Sequence, residues 1–160
     1  MAARPTPRPR APATLVGTLL LMGLSGCIDG FDPDLGGELG NKCRERDSDP
    51  QTDVSFTNDI LLRVFAGDGM CLPCHDPSSD APQGYQDGGL DLTSHGKLMA
   101  GGANSAADIV IPGQPCSSRL FQKLGPAPPS GSPMPLELPP LSTKHLNLIH
   151  DWIAEGAKNN

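Results

Sequence analysis

The sequence predicts a small, mostly α domain wrapped by long Gly/Pro loops, and three observations carry that prediction. Apolar residues recur at helical spacing in two well-separated stretches, 56–65 and 146–153. Glycine and proline number 19 and 18 in 160 residues, which breaks much of the chain into loops and short pieces. Strand signals are confined to Leu90-Asp91-Leu92 and Ile109-Val110-Ile111, two short runs that could pair as a β-ribbon. Four Phe, one Tyr and one Trp are few for a core, so something other than side chains is expected to fill part of it. A net charge of −6 argues against a nucleic-acid partner. The longest apolar run is too short to span a bilayer, which excludes a polytopic membrane protein.

Residues 1–26 read as an export signal. Arg4, Arg8 and Arg10 give a positive start with no acid, and an apolar stretch follows over 15–24. It ends in Leu24-Ser25-Gly26-Cys27, which resembles the lipobox of bacterial lipoproteins. That resemblance implies acylation of Cys27 and a membrane lipoprotein facing the periplasm, with a plain secretory signal as the alternative. Residues 28–53 hold eight acids and three bases without apolar periodicity, so 27–53 reads as an acidic flexible tether. The folded domain then spans 54–160.

Phe56, Ile60, Leu61, Val64 and Phe65 form the stripe of a first helix, with Ser55 or Thr57 as N-cap and Gly67-Asp68-Gly69 as its end. Residues 76–89 are rich in Pro, Ser, Asp and Gly and read as loop. Short helices are expected over 94–100 and 117–124, then a second loop, 125–140, with seven prolines. The last helix has the fullest set of signals. Ser142 can cap it, Leu141 and Leu146 can staple it, and Leu146, Ile149, Trp152 and Ile153 supply its apolar face before Gly156 stops it. His150 and Asp151 are expected on different faces of that helix.

Between the first helix and the first loop stands Cys71-Leu72-Pro73-Cys74-His75, which fits C-x-x-C-H, the attachment signature of c-type haem. Cysteines three apart on a helical turn can each form a thioether with one vinyl group, and the next residue can offer an imidazole to the iron. A CxPC turn also suits a thioredoxin-like dithiol, but that fold needs a long central sheet. Zinc would want a second close ligand pair, and His95 and His145 each stand alone. For the sixth iron ligand the best candidate is Met134, held in Ser132-Pro133-Met134-Pro135, with His95, Met99 and His145 as rivals. No Ser/His/Asp set or carboxylate pair stands out as a catalytic centre.

From 56 to 158 the chain resembles the single-haem, planctomycete-type cytochrome c domain. The pieces run in order: the helix before CLPCH, Gly88-Gly89-Leu90-Asp91-Leu92, Val110-Ile111-Pro112-Gly113 with Ser118-Arg119-Leu120, Met134-Pro135, and Leu141-Ser142 leading to Trp152-Ile153-Ala154-Glu155-Gly156-Ala157. The resemblance implies a cytochrome c-like fold around one covalent haem, with first and last helices packed across each other and His75 and Met134 as axial ligands. It implies an electron carrier exchanging with redox-protein donors and acceptors, not an enzyme. The alternatives are a haem enzyme or sensor with an open sixth position. Cys116 departs from the family pattern. With Cys27 lipidated and Cys71 and Cys74 on haem, Cys43 and Cys116 remain and could form a disulfide.

Overall fold

Ser55 starts the first helix by accepting from the Asn58 amide at 3.2 Å, while its own N–H donates to Asp59 Oδ2 at 3.0 Å, a reciprocal arrangement that satisfies two donors at once. Two further amides at this end, those of Phe56 and Thr57, donate to the side chain and carbonyl of Asn160. Helix α1 (Phe56–Asp68) buries Phe56, Ile60, Val64 and Phe65, which recur on one face at helical spacing. Gly67 leaves helical geometry, at φ −90° and ψ −118°, and the chain turns into the cysteine motif. The computed structural model describes residues 43–68 and 70–160. The expected export signal (1–26), Cys27 and the first part of the expected tether lie outside the described residues.

Five more helices follow: α2 (Leu72–His75), α3 (Gln83–Gly88), α4 (His95–Ala100), α5 (Arg119–Lys123) and α6 (Thr143–Ala154). Single 3-10 turns lie at Ala106–Ile109 and Pro115–Ser117. Among the described residues there is no strand, so the fold is mostly α and the ribbon is absent. The reason is competition for its backbone groups. Leu92 N–H donates to the His75 carbonyl at 3.0 Å, Ile109 is drawn into a 3-10 turn, and Ile111 N–H donates to the fully buried Ser118 hydroxyl at 2.8 Å. Helix α3 lies where composition suggests only loop. Its two glycines disfavour a free helix, and it forms against α2.

Helix α6 packs on α1. Ser142 Oγ accepts the His145 amide at 3.3 Å, and Leu141 before it is buried. At the other end Gly156, at φ +101°, closes a Schellman motif: Ala157 N–H reaches the Trp152 carbonyl at 2.8 Å and Gly156 N–H reaches Ile153 at 3.0 Å. Ile149, Trp152 and Ile153 are wholly buried with Ile60, Val64, Phe65 and Leu98. Each such side chain contributes on the order of 1.5–3 kcal/mol by leaving water. The Trp152 indole donates to the Lys158 carbonyl at 2.9 Å, so its polar atom is satisfied too.

Residues 43–53, composed like the tether, lie against the domain as a strap. Cys43 is joined to Cys116 in a disulfide. Ser48 donates to Asp151 through both its amide (3.0 Å) and its hydroxyl (2.7 Å), and Glu45 accepts the Cys116 amide at 3.1 Å. His150 and Asp151 are not on separate faces in effect: Nδ1 of His150 sits 2.9 Å from Asp151 Oδ1. The strap accounts for the difference, since the Arg44 carbonyl takes the other ring nitrogen and Ser48 draws the carboxylate toward the same side.

Candidate haem-binding site

Helix α2 is one turn long, and that turn carries the chemistry. Cys71 stands at its N-cap, Pro73 fits its start, and Cys74 and His75 complete it. His75 N–H and Cys74 N–H both donate to the Cys71 carbonyl, at 2.9 and 3.2 Å, which fixes the two sulfurs and the imidazole on one short rigid element. Cys71 and Cys74 carry thiols, not a disulfide; Cys71 is half-buried against the core and Cys74 is exposed. Burial pushes the Cys71 thiol up to about 11, with the neighbouring Cys74 adding to the shift. A protonated, desolvated thiol is a poor nucleophile, and without a strand among the described residues the dithiol reading also lacks its sheet.

The imidazole of His75 is oriented from two sides. Its Nδ1 lies 3.1 Å from the Leu90 carbonyl, an oxygen that can only accept. The proton is therefore on Nδ1, and Nε2 keeps the lone pair that a metal needs. Burial pushes the histidine below its usual range, against the raising effect of the Leu90 bond, so the neutral form is favoured. On the other side Gly84 of α3 comes so close that a Cβ there would stand 2.7 Å from both Cε1 and Nε2. Next to Leu90, buried Asp91 accepts from Lys97 Nζ at 2.6 Å and from Thr93, which anchors the strip that presents the carbonyl. Burial alone would raise the Asp91 carboxyl, but these bonds outweigh it and hold it below the ordinary range.

Met134 is half-buried on the wall of an apolar cleft of about 460 Å³, together with Phe121, Leu124, Leu138, Leu146 and four prolines. Its amide donates to the Lys123 carbonyl at 2.7 Å, and Lys123 Nζ in turn holds the Ser130 and Ser132 carbonyls, so one lysine gathers the proline loop. Burial, with Arg119 nearby, pushes Lys123 below its usual range. The CLPCH turn does not line this cleft. Of the rival ligands, His95 bonds the Ala157 carbonyl through Nε2 at 2.8 Å and sits edge-on to Phe56 and Trp152. His145 faces Asp68 at 3.3 Å, and Met99 is half-buried against the core.

The donor set suits a c-type haem: two thiols three residues apart, a following imidazole with its coordinating nitrogen selected by a backbone acceptor, and an apolar cleft bearing a thioether. Sequence reasoning missed Gly84, the Leu90 carbonyl and Lys123. Gly84 and the carbonyl act through backbone, which leaves no side-chain signature.

Residues 71–135 match the family model described as planctomycete cytochrome C, a stretch running from the first cysteine of CLPCH through Met134-Pro135. No curated protein and no solved structure matches the chain significantly. The stretch 71–135 is thus similar to a cytochrome c family, over the part of the chain that carries both CLPCH and Met134.

Proposed function

We propose that this cytochrome c-like domain is a one-electron carrier holding one covalent haem, anchored by a lipid on Cys27 at the periplasmic face of a bacterial membrane. Cys71 and Cys74 would hold the haem through thioethers, and His75 and Met134 would ligate its iron. Bound, the haem supplies a reversible Fe(III)/Fe(II) couple. The single observation that carries the reading is His75: on the same turn as both thiols, its Nδ1–H is committed to the Leu90 carbonyl, which reserves Nε2 for iron. Leu90 keeps the ring from turning, Lys123 gathers the loop that offers the Met134 thioether, and the side chains around Met134 are mostly apolar. If His75 and Met134 both held the iron, no site would be left for oxygen or peroxide, which would suit transfer to and from redox-protein partners.

The test is an absorption spectrum after expression with the c-type maturation machinery. Haem should survive acid-acetone extraction, and a weak long-wavelength Fe–S band should be present. Met134→Ala should lose that band and bind carbon monoxide, whereas the unmodified protein should not. Extractable haem would overturn the reading, and carbon monoxide binding by the unmodified protein would turn it toward an open-site enzyme. Replacing Cys27 with Ser should move the protein from the membrane to the soluble fraction.

A further inference from the structure

We propose that Cys43, Cys116 and His150 form a redox-gated metal site, closed while the two sulfurs are joined and competent for a thiophilic cation once they are reduced. The two Sγ atoms and a ring nitrogen of His150 lie within 4.8 Å of one another, all in partly buried residues. In a tetrahedral zinc–thiolate site the sulfurs stand about 3.8 Å apart, so opening the bond brings all three donors to ligating distance with small movements. Two thiolates and an imidazole select Zn²⁺ or Cu⁺ over Mg²⁺ or Ca²⁺.

The surroundings are those of a ligand histidine. Nδ1 of His150 is 2.9 Å from Asp151 Oδ1, and Asp151 is itself only 5 % exposed and held by Ser48. A buried carboxylate on the far ring nitrogen is what fixes a metal-binding imidazole. The other nitrogen, Nε2, now meets the Arg44 carbonyl. Arg44 follows Cys43 in the chain, and in the proposed site its carbonyl gives up that nitrogen to the metal. The Glu45 carboxylate, bonded to the Cys116 amide, stands beside the site as a candidate fourth ligand. Phe121 meets His150 edge-on, centroids 5.4 Å apart, and also lines the Met134 cleft.

Opening takes two electrons and two protons from an external dithiol, which leaves as its own disulfide. Metal binding then releases both thiol protons. None of the three ligands belongs to the CLPCH turn, so the site stands independently of the haem reading. The experiment treats the full, haem-loaded chain with a phosphine, which becomes its oxide, adds Zn²⁺ alone, removes the excess and measures zinc per chain. One zinc per reduced chain and none per oxidised chain are expected. His150→Gln, checked for folding by circular dichroism, should lose the zinc, and Asp151→Asn should bind it about 10–100-fold more weakly. No zinc after reduction, or equal zinc on the oxidised chain, would overturn the site. Zinc kept by the Cys43→Ser/Cys116→Ser variant would also overturn it, and zinc held there by Cys71 and Cys74 would count against covalent haem as well.

Discussion

At His75 one backbone oxygen selects which ring nitrogen carries the proton, and one missing side chain lets α3 pack against the ring. Gly84→Ala would force a methyl to 2.7 Å from the imidazole edge and 3.1 Å from the Cys74 carbonyl. Relief requires moving α3 or rotating His75, at a cost of about 1–3 kcal/mol. The urea midpoint should fall accordingly, and the low-spin signals of the haem-loaded ferric protein should shift. CLPCH was legible in the sequence because spacing of side chains is what a sequence records. The Leu90 carbonyl was not, since every residue has one and only the fold aims it. Met134 was legible as a candidate through its flanking prolines, but the lysine that gathers its loop sits eleven positions upstream with no local mark.

Among the elements, α6 was the most readable because each of its ends has a side-chain device. Ser142→Ala removes the bond to the His145 amide and should lower stability by about 1 kcal/mol, read from thermal or urea unfolding. The ribbon failed for the opposite reason: β-branched residues at 109–111 fit a strand, but Ser118 offered their backbone a nearer partner. The strap depends on charge. Burial alone would raise the Asp151 carboxyl, yet the Ser48 amide and hydroxyl and the adjoining His150 together hold it below the usual carboxylate range. The part of the strap's hold that runs through Asp151 is therefore complete above the ordinary carboxylate range and is lost as pH falls through the depressed folded value, while the disulfide stays. Protection of the Ser48 amide against hydrogen exchange should disappear in that acid window, and Ser48→Ala should narrow the gap between folded and unfolded titration.

For the whole molecule, the fold class followed from composition and two helical stripes, while the start of the folded part did not. Acidic residues and the absence of apolar spacing describe 43–53 as solvated, and most of it is exposed; what holds it is a disulfide and polar bonds, neither of which has a periodicity. Replacing both Cys43 and Cys116 with Ser frees a loop closed across 73 positions and should cost roughly 4 kcal/mol on the chain-entropy account, measured as a lowered denaturation midpoint without loss of helix signal at low denaturant.

The amides that open α1 are satisfied by Asn160, more than a hundred residues away in sequence. That makes the first helix the last to be completed. A chain made from its N-terminus presents CLPCH long before Asn160, which takes the Phe56 and Thr57 amides of the preceding helix, has been added. Closure of so long a loop must come ahead of the bonds that reward it. On the proposed reading, the thiols and His75 would meet the attachment machinery on a chain that has not yet locked. Deleting residues 158–160 should leave covalent haem loading intact while abolishing exchange protection at the Phe56 and Thr57 amides, which separates the order of synthesis from the order of folding.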